Sequence, residues 1–409
     1  MSTIILTSKD NELLGASNST DGMGILAVWS ERGRDLVPHL TEQTSQIRGF
    51  QILIEAFRLW EIYEPQHPQH AGHLDDFFLL IEQAFARTIG WHQRQADWTL
   101  PGARRVRARA FETPHISLKD TSWHLLDSQK ATGLWGLYRG ASQRGGLLTE
   151  GMTRLSPETL SQADGCSLIT GVAQKRLFEI VSKAMDGQTV EFPTHMNNEL
   201  PKALFDTYIT VPLAQHLKSQ LIDAHELNKK LARMLPSNGE IDHRKILTKA
   251  ARELTSHTAI IQNTIRCENL ISVIEAVFMF LCYSKGKSVP DAVAGLDIDL
   301  ESVETARMHF GTSGEYKGNT ASIRKTRFFE LIDTTSVEAL SRSVLLLHQK
   351  VSKDRGRAVW AWEENGLIQS DLDLDNPPEP QEFQVGVAWR NDYYLYPLRE
   401  ISRQLTEVL

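Results

Sequence analysis

The helical spacing of apolar residues between positions 168 and 347 limits this chain more than any other feature of its sequence. Over that stretch apolar side chains recur every three or four residues, which is the period of an α-helix with one buried face. The most apolar segment, residues 270–283, contains Glu275 and is too short to cross a bilayer, so it predicts a buried helix. The sequence therefore predicts a mainly α fold with no membrane-spanning segment.

The N-terminal part of the chain follows the same period. A first helix is expected to start after residue 44 or 45 and to be covered on more than one side, because its apolar stripe is wide: Ile47, Phe50, Ile54, Phe57 and Trp60. Prolines and a glycine interrupt the pattern between residues 64 and 73, and a second helix is expected over 74–89. These segments predict a helical N-terminal domain over residues 1–111.

Residues 112–167 predict a winged-helix-like unit. Helices are expected over 117–127 and 131–142, followed by a glycine turn at 145–146, two short strands around the polar tip 149–154 and a new helix start at Ser156-Pro157. A helical hairpin with a surface loop fits the same residues, and both alternatives stay open.

Residues 168–350 predict a helical scaffold domain, and residues 351–409 a smaller C-terminal unit with a β-hairpin. Within the scaffold one long helix is expected over 213–235. In the C-terminal unit Asn365-Gly366 lies between two apolar runs, which is a strong hairpin signal. A further strand is expected over 383–389 and a closing helix over 397–409.

Composition places the chain among ordinary globular proteins. Of its 409 residues 41% are hydrophobic and 23% are charged, and the formal net charge of -7 argues against a wholly basic nucleic-acid coat but leaves room for a local basic face. Cys166, Cys267 and Cys282 lie far apart, and the N-terminus lacks the pattern of a signal peptide. We expect a cytoplasmic protein whose cysteines are buried as small apolar side chains.

The densest positive segment lies at residues 104–109. If it is extended, Arg105, Arg107 and Arg109 share one face and can follow a phosphate backbone. Together with the cations that follow, it forms the predicted nucleic-acid-binding set: Arg104, Arg105, Arg107, Arg109, Lys130, Arg139 and Arg144. The alternative is a solvated edge strand whose arginines prevent pairing with other chains. A second positive stretch, between 229 and 252, is diluted by acidic residues and is expected to be a solvated helix face.

Two kinds of side-chain cluster have the ligand types of a metal site. The first combines histidines with carboxylates, but a proline and a glycine interrupt it, so we interpret it as a solvated loop before an acidic helix start: His67, His70, His73, Asp75 and Asp76. The second kind is acidic and lies in loop-like or helix-start sequence, where acids are common: Asp297, Asp299, Glu301 and Glu304, and Asp371, Asp373 and Asp375. We predict no metal at either.

Familiar catalytic motifs are missing from the sequence. It contains no P-loop, no GxGxxG after a strand, no GxSxG elbow and no HExxH. No catalytic residue and no cofactor is therefore predicted, although an enzyme of unfamiliar type stays open.

Trp360 and Trp362 lie at alternate positions beside the predicted hairpin and so share one strand face. Because aromatic residues are enriched in protein interfaces, we predict that this pair contacts a partner protein. Packing in the core is the alternative.

Two segments carry a recognisable pattern. The first comprises Leu36, Val37, Pro38, Leu40, Thr41, Thr44, Arg48, Phe50 and Trp60, and the second comprises Gly133, Leu134, Trp135, Tyr138, Gly146, Leu147, Leu148, Leu155, Ser156 and Pro157. In these positions, and in the closing Asn391-Asp392-Tyr393, the chain resembles a loose group of uncharacterised bacterial proteins; Ser156 stands where that pattern often has Thr. Members of the group tend to be encoded in mobile or antiphage defence clusters beside helicases, ATPases or nucleases, so the resemblance implies partners of those classes.

From these observations we expect a non-catalytic component of a multi-protein bacterial antiphage defence system. It would contact DNA through the winged-helix-like unit and dock an ATPase, helicase or nuclease subunit through the helical scaffold. An effector nuclease with an unrecognised metal-dependent site and a purely structural adaptor with no nucleic-acid role are the alternatives.

Overall fold

A computed structural model describes residues 21–92, 100–109, 112–207, 209–372 and 374–409 and confirms the mainly α fold. In chain order the helices are α1 (Leu26–Leu36), α2 (Ile47–Tyr63), α3 (Leu74–His92), α4 (Ala103–Ala108), α5 (Gln129–Thr132), α6 (Leu134–Arg144), α7 (Pro157–Asp164), α8 (Gly171–Met185), α9 (Glu199–Asp206), α10 (Val211–Lys218), α11 (Glu226–Met234), α12 (His243–Glu253), α13 (Thr258–Tyr283), α14 (Val289–Val293), α15 (Leu300–Gly311), α16 (Asn319–Leu331), α17 (Val337–Asp354) and α18 (Leu395–Val408). The strands are β1 (His115–Ile116), β2 (Val190–Glu191), β3 (Ala361–Glu364) and β4 (Leu367–Ser370). Short 3-10 turns lie at Glu64–Gln66, Pro68–His70, Thr121–Trp123, Thr255–His257 and Pro380–Phe383, and a π-helical turn at Ser219–Asp223.

The chain forms two compact units. Unit 1 comprises residues 21–36 and Glu240–Tyr393, and unit 2 comprises Val37–Gly239 and Tyr394–Leu409. The four domain boundaries expected from the sequence stay a prediction.

In unit 1 the long apolar helix α13 lies at the centre, which confirms the buried helix predicted over 270–283. Glu268 on this helix is fully buried, and its carboxylate accepts hydrogen bonds from the Tyr393 hydroxyl (2.8 Å) and from the Asn391 side-chain amide (3.0 Å). The backbone N–H groups of Arg390 and Asn391 donate to the same carboxylate. These hydrogen bonds hold residues 390–393, the last segment of unit 1, against its central helix.

The predicted hairpin of unit 1 is confirmed. Strands β3 and β4 pair antiparallel, with Glu364 opposite Leu367. Asn365 and Gly366 form the turn between them with φ of 53° and 76°, the left-handed conformation that a two-residue hairpin turn needs. The closing helix of the chain is also present, as α18 of unit 2.

Unit 2 is built around α2, whose apolar stripe is so wide that nearly every side chain along it is buried. Phe57 on this helix stacks on Trp135 of α6, with ring centroids 6.1 Å apart, and meets Phe78 of α3 edge-on at 6.2 Å. Aromatic pairs at such distances add to the free energy of folding beyond the area they bury. The expectation of a central helix covered on more than one side is confirmed.

A buried carboxyl organises the start of α6. Glu82 on α3 is fully buried and accepts hydrogen bonds from the backbone N–H of Leu134 (2.7 Å) and from the side-chain amide of Gln129 (2.9 Å). It therefore satisfies one of the free N–H groups at the helix N-terminus. Burial raises the pKa of Glu82 to about 7, because the charged form loses its hydration.

The structure does not confirm a winged helix in residues 112–167. Helices α6 and α7 are present, and Ser156 caps α7 as predicted, but the strands of the wing reduce to a single antiparallel bridge between Leu148 and Leu155. The helix expected over 117–127 is wrong. The Asp120 carboxylate accepts from the N–H of Ser122 (3.0 Å) and holds a 3-10 turn there, since local side-chain bonds compete with helix formation.

Three further predictions of local structure are wrong. The arginine-rich segment is helical over Ala103–Ala108, since Ala and Arg are strong helix formers and Gly102 turns the chain into it. The long helix over 213–235 is interrupted: it passes into a π-helical turn at Ser219–Asp223 and breaks at His225, whose backbone is extended (φ -119°, ψ 118°). Residues 384–389 turn at Gly386 (φ 71°) and form no strand.

Within the part of the chain that the structure describes, every helix lacks the length or the apolar character needed to cross a bilayer.

Candidate functional site

An open groove of about 680 Å³ lies on the surface of unit 2, and its volume falls in the range of ligand sites. One wall is a single face of α8, because the residues that line it recur at helical spacing: Gly171, Gln174, Lys175, Phe178, Glu179, Ser182 and Lys183. The other wall is formed by Gln66 and His67, in the turn that follows α2. We call this site the α8 groove.

Phe178 and His67 are aromatic residues that line the α8 groove, and both contact the buried ring of Tyr63. Phe178 is buried and meets the Tyr63 ring edge-on, with centroids 5.1 Å apart. The imidazole of His67 lies almost parallel to the Tyr63 ring, at 4.1 Å and 16°. The fully buried Tyr63 ring covers one face of the His67 imidazole, and His67 as a whole is half-buried.

A chain of three polar side chains fixes these rings. The Tyr63 hydroxyl lies 2.7 Å from Nδ1 of His70, and Nε2 of His70 lies 3.1 Å from the carboxylate of Asp186. Asp186 follows α8 directly and its carboxylate accepts, so in the neutral imidazole of His70 Nε2 carries the proton and Nδ1 accepts from the Tyr63 hydroxyl. Burial raises the pKa of Tyr63 to about 12, so its hydroxyl keeps the proton it donates.

The rim of the groove carries two lysines and one glutamate, all on α8. The ammonium groups of Lys175 and Lys183 are exposed and bond to no residue in the described ranges. Glu179 lies between them but is paired with Arg176, at 3.0 Å. Burial, with a smaller contribution from the neighbouring His70, lowers the pKa of His67, which leaves this imidazole neutral at neutral pH. Cations on the rim beside aromatic rings suit a small anionic molecule.

The structure uses much of the predicted nucleic-acid-binding set for contacts inside unit 2. Arg105 pairs with Asp127 at 2.5 Å. Arg109 pairs with Glu112 at 3.2 Å and stacks on the ring of Trp123, 4.2 Å from its centroid. Because α4 is helical, Arg105 and Arg109 lie one turn apart and face the same loop.

Two other members of the set are also engaged. Lys130 forms an ion pair with Asp75 of α3. Arg139 lies over the ring of Trp135, 4.2 Å from its centroid, in a cation–π contact.

The last three members of the set differ in the contacts that their side chains make. Arg144 donates from Nε to the carbonyl of Pro38, at 2.8 Å. Arg104 is exposed and Arg107 half-buried, and neither side chain bonds to a residue that the structure describes. The members of the set thus make different local contacts, and within the set only Arg104 and Arg107 have side chains that form no hydrogen bond, ion pair or ring contact with a described residue.

The histidine and acidic clusters have local structural partners. His73 pairs with Asp76 at 3.4 Å. Asp299 caps the N-terminus of α15, and Glu304 forms an ion pair with Arg307 at 2.7 Å. Across the described ranges no group of three His, Cys, Asp or Glu side chains has the arrangement of a metal site, and Asp373 lies outside these ranges.

The predicted partner-binding tryptophans lie in unit 1. Trp360 donates its backbone N–H to Nε2 of His348 (2.8 Å), and its ring lies 5.7 Å from that imidazole, so much of it packs inside the unit. Trp362 is half-buried, with its indole N–H 3.4 Å from Glu364. Their contact with a partner stays a prediction.

Sequence reasoning missed most of the α8 groove. It identified His67 and His70 only as candidate metal ligands, and it included α8 only in the helical spacing of residues 168–347. The available signal was the exposed face of that helix, where Lys175 and Lys183 flank Glu179. The pairing of His70 with Asp186 joins positions 116 residues apart, and no local pattern reports it.

Comparisons of this chain with protein-family models, with curated proteins and with solved structures found no match.

Proposed function

We propose that this chain is a binding protein that takes up a small anionic molecule in the α8 groove of unit 2. One observation carries the proposal: Lys175 and Lys183 line a groove that has aromatic rings, form no ion pair with a described residue, and flank a glutamate, Glu179, that is paired with Arg176. A cationic site raises the local concentration of anions and lowers their free energy when bound.

The expected contribution of the two lysines is modest, because both are exposed. A solvent-exposed ion pair contributes about 0.2–1 kcal/mol, so losing both lysines weakens binding by about 2- to 30-fold. The effect should shrink as salt rises, since ions screen exposed charges over about 10 Å at 0.1 M.

The test is calorimetric titration of the full chain with tripolyphosphate and, separately, with citrate, at low and at moderate salt. We expect saturable binding that weakens in Lys175→Ala/Lys183→Ala. The matched control is Lys285→Ala/Lys287→Ala, which removes two exposed lysines from unit 1. The proposal fails if neither anion binds saturably, or if both double variants lose affinity equally.

A second proposal is that the chain serves as a DNA-contacting and partner-docking scaffold in an antiphage defence system. Its support is the resemblance to the group of bacterial proteins together with Arg104 and Arg107 of unit 2, whose side chains form no hydrogen bond or ion pair with a described residue. Arg105 and Arg109 support it less, because they are engaged with their own unit.

Duplex DNA titrated at two salt concentrations tests this second proposal. Arg104→Ala/Arg107→Ala should weaken binding and flatten its salt dependence, because each lost phosphate contact lowers the salt slope. No binding of the wild type at low salt would remove the DNA part. Affinity capture that gives stoichiometric partners without any DNA shift would support a purely structural adaptor.

A further inference from the structure

We propose that the anion bound in the α8 groove is a nucleoside phosphate, with its base stacked on His67 and its phosphates directed towards Lys175 and the first turn of α8. This inference rests on the proposed anion site and adds the chemical class of the ligand.

The base position follows from the His67 ring. Tyr63 covers one face of that imidazole at 4.1 Å, and the Tyr63–His70–Asp186 chain holds Tyr63 in place. His67 is half-buried and lines the groove, so its other face is the one available to a ligand. A fixed aromatic ring with one free face is a platform on which any nucleobase can stack, since every base has a π-face.

The phosphate position follows from α8. Gly171 begins this 15-residue helix, and Thr170 before it makes no side-chain capping bond to the described backbone. A Cβ built on Gly171 would meet no atom within 4 Å, so the first turn is open to a ligand. The N–H groups of this turn and the helix dipole attract negative charge, and Lys175, one turn further along, adds a full positive charge.

The length of the groove separates a nucleotide from a simple anion. Lys175 and Lys183 are eight residues apart, which corresponds to about 12 Å along a helix. A phosphate held at Lys175 and the first turn of α8 leaves Lys183 about two turns away, whereas a base joined to a chain of phosphates extends over most of that distance. Gln66 and Gln174, on opposite walls, present amides that can donate to and accept from the edge of a base.

The test compares ATP, adenosine and tripolyphosphate in titrations of the full chain without added metal. ATP should bind at least about ten-fold more tightly than either adenosine or tripolyphosphate, because only ATP uses both the stacking platform and the cationic turn. His67→Ala should reduce ATP affinity about ten-fold and leave tripolyphosphate affinity nearly unchanged. Lys175→Ala should lower the affinity for both ATP and tripolyphosphate, and it should leave the affinity for adenosine unchanged.

Two further variants keep the result interpretable. His67→Phe retains a flat ring, so it should bind ATP nearly as well as the wild type even if His67→Ala perturbs the turn. His73→Ala, which removes a mostly exposed histidine beyond that turn, is the matched control.

The inference is overturned if ATP binds no more tightly than tripolyphosphate, or if His67→Ala leaves ATP affinity intact. In that case, binding of tripolyphosphate that still depends on Lys175 and Lys183 would leave the anion site standing. Failure of every probe to bind would remove both proposals.

Discussion

The Tyr63 hydroxyl is hydrogen-bonded to Nδ1 of His70 over 2.7 Å, and the opposite nitrogen of the same imidazole lies 3.1 Å from Asp186. This contact joins the end of α2 to the end of α8 through one buried histidine. Because the two walls of the α8 groove belong to these two segments, the bond keeps their separation fixed. The groove is therefore formed before any ligand arrives, which lowers the entropy cost of binding.

Tyr63→Phe tests that relationship, because it removes the hydroxyl and keeps the ring. Nδ1 of His70 then stays buried without a donor, and the variant should lose about 1–3 kcal/mol in free energy of unfolding, measured by urea denaturation. Tripolyphosphate should also bind several-fold more weakly. Tyr283→Phe, at an exposed tyrosine, is the control, and equal behaviour of the two variants would contradict the role assigned to Tyr63.

Glu82→Gln tests the buried carboxyl at the start of α6. In the folded protein the pKa of Glu82 is raised to about 7 from its usual 4.5, so the unfolded chain ionises first as pH rises. Glu82 therefore lowers wild-type stability progressively between about pH 4.5 and 7, by up to about 3 kcal/mol in all, and contributes no further change above that.

Guanidinium unfolding at pH 4.5 and pH 8 measures the effect. We compare the free energy of unfolding of Glu82→Gln with that of the wild type at each pH. The difference should favour the variant more at pH 8 than at pH 4.5, since the amide accepts from Leu134 without ionising. Glu150→Gln, at an exposed glutamate of unit 2, should leave the pH profile as it is. A Glu82→Gln profile parallel to that of the wild type would show that burial of this carboxyl has no linkage to pH.

Glu268→Ala tests the attachment of the last segment of unit 1 to α13. Removing a buried carboxylate leaves the Tyr393 hydroxyl, the Asn391 amide and two backbone N–H groups without their acceptor. We expect the free energy of unfolding to fall by about 3–5 kcal/mol. Denaturation monitored by tryptophan fluorescence measures it, and Trp389 contributes to that signal, with its ring 5.7 Å from the ring of Tyr393. Glu253→Ala, at an exposed position of the same unit, should cost little, and a similar small loss at Glu268 would contradict the account.

Gly366→Ala tests the hairpin turn. At Gly366 the backbone has φ of 76°, and the added methyl group meets nothing within 4 Å, so the only cost is the left-handed conformation, about 1–2 kcal/mol. Gly295→Ala adds a methyl group to equally open space without a positive φ. Thermal unfolding should separate the two variants, and identical melting temperatures would argue against strain at the turn.

The sequence predicted the features that depend on local pattern. The apolar segment 270–283 reports the burial of α13, and Asn365-Gly366 reports the hairpin because few other residue pairs tolerate two positive φ values in succession. The wide stripe from Ile47 to Trp60 reports that α2 is covered on several sides.

Local pattern could not resolve competing short-range preferences. Arg105 and Arg107 alternate with small residues as in a strand, yet Ala and Arg also favour a helix, and the buried Val106 holds that helix in place. The π-helical turn at Ser219–Asp223 adds one residue to a helical turn without any glycine or proline to mark it.

The candidate site could be predicted least, because its members come from distant parts of the chain. His67 and Ser182 line the same groove only because α2, α8 and the turn between Tyr63 and His70 pack together. The sequence identified His67 and His70 as chemically capable residues, but their partners, Tyr63 and Asp186, are set by tertiary structure.

The most direct measurement is the NMR spectrum of the histidine side chains of the full chain during titration with ATP. If the α8 groove is the anion site, the imidazole signals of His67 and His70 move with saturable dependence on ligand, and those of His243 and His348 in unit 1 stay in place. Unchanged His67 and His70 signals at saturating ATP and tripolyphosphate, or equal movement of all four histidines, would contradict the account.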